Sequence, residues 1–227
     1  MVWGPVRETA AVAGAADTSE AYYAPLAGFL AADAAGGPVR VEVPLTRSHW
    51  EAALLAPQVS IARGWEKQLD ERYDGVLLRP GLTAASYRRW LLDQAVSYVA
   101  LPDTPLDPSS AAEGRLIRAG LPYLGQVFAS RHWRIYAVRG AAPLASGPGR
   151  VTALGHDSFA LRALSAGSFL VRVRFSRYLA VASGQACVRA APGGWTEVIA
   201  KAPGTLGVGA RFSLAAALGR EAACRGT

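Results

Sequence analysis

The stretch Gly140-Ala-Ala-Pro-Leu-Ala-Ser-Gly-Pro-Gly149 divides this sequence into two parts with different patterns. It is rich in Gly and Pro, residues that interrupt helices and strands. Before it, short apolar stretches alternate with segments of helical period; after it, only strand patterns occur. The sequence therefore predicts an α/β (α+β) mixed-sheet domain followed by an antiparallel β-sandwich. The predicted boundaries are an irregular segment at 1–16, the α/β domain at 17–140, a linker at 141–150 and the sandwich at 151–227.

The first part contains short strand patterns. Val39, Val41 and Val43 alternate with Arg40 and Glu42, which predicts a half-buried strand with its charged residues exposed. Other apolar runs predict three further strands and one hairpin, at 59–61, 76–78, 97–101 and 127–138. Together these elements indicate a mixed sheet with helices packed on it.

Helices in the first part are marked by their first turns. Residues 17–20 and 48–51 each have the spacing of a capping box. A further helix begins after Thr83, and another begins at Ser110 and ends at Gly120. The helix after Thr83 carries three large apolar side chains on one stripe, Tyr87, Trp90 and Leu91.

The second part alternates apolar and polar residues in short segments. These predict antiparallel strands at 168–175, 186–190, 195–200 and 206–213. Cys187 and Cys224 both fall in this part. They form either a disulfide, in an oxidising compartment, or a pair of unpaired small hydrophobic residues, because spacing alone does not fix the geometry of a disulfide.

Composition excludes several classes of protein. The chain has 24 Lys and Arg against 17 Asp and Glu, for a net charge of +7. The arginines are scattered along the sequence, whereas nucleic-acid binders concentrate them in a patch with a recognition motif, so no nucleic-acid partner is expected. No apolar run is long enough for a transmembrane helix. No catalytic or phosphate-binding motif is complete, and three histidines are too few for a metal cluster, so no catalytic residue, metal or cofactor is assigned.

Two places carry candidate ligand-binding residues. The loop from Asp103 to Asp107 follows a predicted strand at its carboxyl end, where ligands bind in open α/β sheets; the alternative is a Pro-Asp turn. Two other segments each place Arg, Trp and Glu close together, a combination that stacks on sugar rings and bonds their hydroxyls. The alternative is an aromatic side chain in the core beside an exposed charge. The candidates in these segments are Arg47, His49, Trp50, Glu51, Arg63, Trp65 and Glu66.

Six segments of the chain carry a resemblance to a known family. They are Tyr22-Tyr-Ala-Pro-Leu26, Val41-Glu-Val-Pro-Leu-Thr-Arg-Ser-His-Trp-Glu51, Ala62-Arg-Gly-Trp-Glu66, Tyr87-Arg-Arg-Trp90, Val96-Ser-Tyr-Val-Ala-Leu-Pro102 and Pro192-Gly-Gly-Trp195. These motifs resemble the C-terminal regions of large bacterial multi-pass membrane proteins, the membrane-embedded glycosyltransferases of the GT-C type, including the YfhO-like group. In these proteins a C-terminal extracytoplasmic domain follows a transmembrane bundle. The resemblance covers nearly the whole chain.

This resemblance implies a non-catalytic extracytoplasmic domain of a glycosyltransferase-like membrane protein, in contact with a glycan or lipid-linked sugar. Family members carry their catalytic carboxylates near the first transmembrane helices, so no position here inherits them. The implied partners are carbohydrate and the helical bundle of a parent or neighbouring chain, at the extracytoplasmic face of the bacterial plasma membrane. The chain is then a detached domain, and Met1 an internal start.

Two alternatives stay open. One is a structural or protein-interaction module of the same fold without a small ligand. The other is a free-standing α/β enzyme, cytoplasmic and acting at the 103–107 loop, so whether this chain alone is an enzyme is undecided.

Overall fold

The computed structural model describes residues 14–64, 67–212 and Cys224. The chain divides into two units, Met1–Ala35 with Val39–Ala142, and Gly36–Pro38 with Pro143–Thr227. The first unit contains helices and a mixed sheet and the second contains two antiparallel sheets, which confirms the predicted change from α/β to β structure. None of the described helices is long and apolar enough to cross a membrane.

The helices of the first unit are short. Their bounds are α1 (Glu20–Asp33), α2 (Glu51–Leu54), α3 (Lys67–Tyr73), α4 (Gly75–Leu78), α5 (Ala84–Asp93) and α6 (Ala111–Ala119). Single 3-10 turns lie at Ala16–Thr18, Ala34–Gly36 and Pro108–Ser110. The strand predicted at 76–78 is wrong, because these residues form α4. A run of three apolar residues has no readable period, and here the Leu77 amide closes a turn on the Asp74 carbonyl.

Neither of the two predicted capping boxes forms, whereas a capping box that was not predicted begins α5. Thr83 and Ser86 bond each other's backbone amides and begin α5. Ser19, before α1, and Trp50, before α2, make no side-chain cap. Ser48 instead donates its hydroxyl to the Asp17 carboxylate, so a contact between distant segments replaces both local caps.

The sheet of the first unit has five strands in the order β2-β1-β3-β5-β4. Their bounds are β1 (Arg40–Glu42), β2 (Ser60–Ile61), β3 (Tyr98–Pro102), β4 (Leu124–Ala129) and β5 (Trp133–Val138). Strands β2, β1 and β3 are parallel, and β5 is antiparallel to both β3 and β4. The carboxyl ends of the three parallel strands therefore meet at one edge, which we call the carboxyl edge.

Both faces of this sheet are buried. On β3, Ala100 belongs to one apolar cluster with α1, whereas Val99 and Leu101 belong to another with α5 and α6. The prediction that Arg40 and Glu42 lie on an exposed face is therefore wrong, since they are only 8% and 0% exposed. A central strand covered on two sides buries every side chain, whatever its polarity.

The second unit consists of eight strands. These are β6 (Ala145–Ser146), β7 (Gly149–Leu154), β8 (Ser158–Ala163), β9 (Gly167–Arg174), β10 (Leu179–Ser183), β11 (Ala186–Ala190), β12 (Trp195–Ala200) and β13 (Gly204–Ala210). They form two antiparallel sheets, in the orders β10-β13-β8-β7 and β11-β12-β9-β6. Residues 141–150, interpreted above as a linker, include β6 and the start of β7, and the units divide at Ala142 and Pro143.

A disulfide joins Cys187, on strand β11, to Cys224 in the C-terminal segment. The two cysteines are separated by 37 positions in the sequence. A cross-link of this span stabilises the fold mainly by restricting the unfolded chain.

We expect the double variant Cys187→Ser, Cys224→Ser to lose roughly 2–4 kcal/mol of unfolding free energy, because the open chain gains conformational entropy. Urea denaturation followed by circular dichroism measures this loss. Wild-type protein treated with a reducing agent is the matched control and should lose the same amount. A disulfide that makes no contribution would leave all three unfolding curves superimposed.

Candidate functional site

An open cleft lies at the carboxyl edge, where β3 leads into the 103–107 loop. Its volume is about 440 Å³, and it is lined by Asp103, Thr104, Pro105, Leu106, Ala111, Arg115 and Arg118. Ligands of open α/β sheets bind at this position, just beyond the ends of parallel strands. The loop is thus one wall of the cleft, and helix α6 provides the other.

Asp103 is held in place by two neighbours. Its carboxylate accepts a hydrogen bond of 2.9 Å from the Tyr22 hydroxyl and lies 2.9 Å from Nδ1 of His132. Partial burial opposes ionisation, but the hydrogen bonds from His132 and Tyr22 outweigh it and lower the pKa of Asp103. The cleft therefore contains an ionised acceptor in a fixed orientation.

His132 and Tyr22 were not among the predicted site residues. The register of the sheet explains the position of His132, because Pro102 pairs with Trp133 and the next residues outward are Asp103 and His132. Pairing the predicted hairpin at 127–138 with β3 would have placed His132 next to Asp103. Tyr22 is placed by its neighbour Trp133, whose ring nitrogen donates to the Tyr22 carbonyl over 2.7 Å.

The cleft wall on α6 carries two cations. Arg115 and Arg118 are exposed and lie three positions apart, so they share one side of the helix. Gly114, directly before Arg115, allows the loop to approach α6 closely: a Cβ there would lie 2.4 Å from Cδ1 of Leu106. Gly114, Arg115 and Arg118 were not among the predicted site residues, because a glycine and two arginines on a helix form no recognisable binding motif.

The structure brings a second predicted segment against the loop. The Arg47 amide donates to the Pro105 carbonyl at 3.0 Å, and the Asp107 amide donates to Leu45 at 2.8 Å. This places Nε2 of His49 within 3.3 Å of the Asp107 carboxylate. Trp50, on the same segment, is 41% exposed. Arg47 and His49 therefore contact the 103–107 loop, and the exposed Trp50 follows them directly in the chain.

Asp107 has a structural task in addition to its contact with His49. Its carboxylate accepts hydrogen bonds from the Ser109 amide and hydroxyl, at 2.8 and 2.6 Å, and so caps the following 3-10 turn. Burial opposes its ionisation, but the bonds from Ser109 and the nearby His49 outweigh burial and lower its pKa. The loop therefore forms the Pro-Asp turn of the predicted alternative, and ligand binding by Asp107 stays a prediction.

Glu51 was a candidate ligand-binding residue, and the structure places it in the interior. It is 2% exposed and accepts hydrogen bonds from the Thr46 amide and hydroxyl, at 3.2 and 2.6 Å. Burial raises its pKa, against the effect of these bonds. Glu51 therefore fixes the turn before α2 and does not face the surface.

Arg63 was also a candidate and is buried as well. Its guanidinium donates to Glu42 at 2.8 Å and to Glu113 at 2.6 Å, and also to the Ser110 hydroxyl. Tyr87 donates to the second oxygen of Glu113 at 2.7 Å. These buried groups, Glu42, Arg63, Tyr87, Ser110 and Glu113, are called the ion cluster below.

Trp65 and Glu66, which completed the predicted segment, lie outside the described residues.

Glu42 is an enclosed acid at the end of β1. It is fully buried, and its Oε2 has no hydrogen-bond partner within the described structure. Loss of hydration raises the pKa of Glu42 well above its ordinary value; Arg63 opposes this effect and Glu113 adds to it. The cluster is therefore a compact set of charges whose ionisation is coupled to folding.

No family model, curated protein or solved structure matches this chain. Within residues 14–64 and 67–212, no group of His, Cys, Asp and Glu is arranged to hold a metal ion. Among the described residues at the carboxyl edge, the carboxylate of Asp103 and the guanidinium groups of Arg115 and Arg118 line one open cleft. Such a set suits the binding of a polar ligand rich in hydroxyl or anionic groups.

The raised pKa of Glu42 predicts a pH effect on stability. Between its ordinary value of 4.5 and its folded-state pKa, the folded protein binds more protons than the unfolded chain, so unfolding free energy falls as pH rises. Glu42→Gln removes this proton uptake and keeps an acceptor for Arg63. Relative to wild type, the variant should gain stability with rising pH, by about 1.4 kcal/mol for each pKa unit of difference.

Chemical denaturation from pH 4.5 to 8 measures this difference. Glu20→Gln, which changes an exposed carboxylate in the first turn of α1, is the matched control. A constant difference between Glu42→Gln and wild type across this range would mean that Glu42 titrates in the folded protein as it does in the unfolded chain.

Proposed function

We propose that this chain is a non-catalytic binding module of a membrane glycosyltransferase-like protein, located on the extracytoplasmic side, and that its cleft contacts a glycan or lipid-linked sugar. The observation that carries the proposal is the ionised Asp103 facing Arg115 and Arg118 in an open cleft. Its partners are carbohydrate and the membrane-embedded helical bundle of a parent or neighbouring chain.

The chemistry of the cleft matches that of a sugar. A sugar hydroxyl can donate a hydrogen bond to a carboxylate and accept one from a guanidinium group. Asp103 therefore provides the acceptor, and Arg115 and Arg118 provide the donors. Trp50, the residue after His49, is exposed, and an exposed indole ring offers an apolar surface to the C–H face of a sugar. A volume of about 440 Å³ is adequate for one or two sugar rings.

Several observations favour binding over catalysis. Glycoside chemistry needs a carboxyl group that keeps its proton near neutral pH. In the cleft, the pKa of Asp103 is lowered, and that of Asp107 beside it is lowered too. The acids with raised pKa values, Glu42 and Glu51, are enclosed and bonded to neighbours.

The second unit supports the extracytoplasmic location. Its disulfide suits an oxidising compartment. We propose that its two sheets pack as a sandwich, because each has a row of alternating buried apolar residues, such as Phe159 and Leu161 on β8 and Phe169 and Val171 on β9.

Titration with neutral and acidic oligosaccharides, followed by two-dimensional NMR, tests the sugar site. We expect binding at millimolar concentration, with shift changes confined to the 103–107 loop, α6 and Trp50. Asp103→Asn and Arg118→Gln should each weaken binding about tenfold, since each removes a charged hydrogen-bond partner.

Arg89→Gln is the matched control, because Arg89 is an exposed arginine on helix α5 of the same unit. It should bind like wild type. No shift change with any sugar at millimolar concentration would overturn the proposal and favour a protein-interaction module, whereas turnover of a glycoside would favour an enzyme.

A further inference from the structure

The net positive charge of the chain comes from residues 143–227. Residues 143–227 contain ten Lys and Arg against three Asp and Glu, whereas residues 1–142 contain fourteen of each. The arginines are scattered along the sequence, but acidic residues balance their charge only in the first part. The second unit is therefore the cationic part of the molecule, and it suits an anionic partner.

An exposed aromatic pair lies at one end of this unit. The rings of Tyr178 and Phe212 stack with centroids 5.9 Å apart. Phe212 is 74% exposed, a high value for a side chain with no polar atom. The Arg211 amide donates to the Tyr178 carbonyl at 2.7 Å, which holds the two segments together.

Arginines surround the pair. Arg177 lies over the Tyr178 ring at 6.0 Å, and Arg211 precedes Phe212 directly. We call Arg177, Tyr178, Arg211 and Phe212 the aromatic tip. Asp157 is the acidic residue next to it, since its carbonyl accepts from the Ala210 amide. The tip thus combines an exposed phenyl ring with a local excess of positive charge.

We propose that the aromatic tip docks on the surface of an anionic phospholipid bilayer. Arginine side chains bond lipid phosphates, and an aromatic ring at the end of a rigid sheet enters the boundary between headgroups and acyl chains. The other basic side chains of the second unit add long-range attraction to the same surface. This site is separate from the sugar cleft and does not depend on it.

A bilayer fits the tip better than a nucleic acid does. Proteins that bind single strands stack bases on open ring faces. Tyr178 and Phe212 already use one face each on one another, and Arg177 lies over the Tyr178 ring. Insertion into a lipid interface is favoured by burying the exposed apolar surface of Phe212 and does not require an unstacked ring face.

Vesicle co-sedimentation of the full chain tests the proposal. We expect the protein to bind vesicles of equal parts phosphatidylglycerol and phosphatidylcholine, but not vesicles of phosphatidylcholine alone. Phe212→Ala should lower partitioning on the order of tenfold. Arg177→Gln and Arg211→Gln should each lower it about fivefold, and added salt should weaken binding further.

The matched controls lie on the same sheet, away from the tip. Leu164→Ala removes another exposed apolar side chain, at the turn after β8, and Arg162→Gln removes a basic residue within β8. Leu164→Ala should bind like wild type, and Arg162→Gln should lose less than either tip arginine. The proposal fails if the wild-type protein does not bind the anionic vesicles, or if both control variants reduce binding as much as the tip variants do. It also fails if the protein binds duplex DNA more tightly than the vesicles and Phe212→Ala does not change the affinity for DNA.

Discussion

A buried guanidinium that joins two carboxylates organises the first unit. Arg63 follows strand β2, Glu42 ends β1 and Glu113 lies on α6, so one side chain ties two parallel strands to a helix. Ser110, at the start of that helix, joins Arg63 to the Leu45 amide. Arg63 compensates both acids for their lost hydration, and removing the cation would leave two buried carboxyl groups without their charged partner.

This constraint decides where a ligand has room. The ends of β1 and β2, where an open α/β sheet would offer its crevice, are filled by the ion cluster. The next strand, β3, leads instead into the 103–107 loop, which lines the open cleft together with α6. Asp103 is fixed there by Tyr22 and His132, which belong to α1 and to the turn before β5. The elements that close the core therefore also shape the open site.

Local patterns predicted much of this fold. The helix after Thr83, the strand at 97–101 and the four strands predicted in the second part form close to where periodicity placed them. Strands β6, β7, β8 and β10 were not predicted. Burial of charged residues was not predictable, because alternation marks Arg40 and Glu42 as an outer face and only contacts with distant segments show otherwise. The expectation that ligands bind beyond the carboxyl ends of parallel strands pointed to the 103–107 loop. The positions of Arg115, Arg118 and His132 beside this loop result from tertiary packing, which local sequence patterns do not show.

The unfolding free energy of Arg63→Leu, compared with Arg47→Leu, tests the account most directly. Both residues were candidates for ligand contact, but Arg63 is buried between two carboxylates and Arg47 is exposed. Arg63→Leu should lose about 3–5 kcal/mol, and Arg47→Leu should stay within about 0.5 kcal/mol of wild type. An Arg63→Leu protein that is as stable as wild type but no longer binds sugar would contradict the account, because Arg63 would then serve the ligand and not the fold.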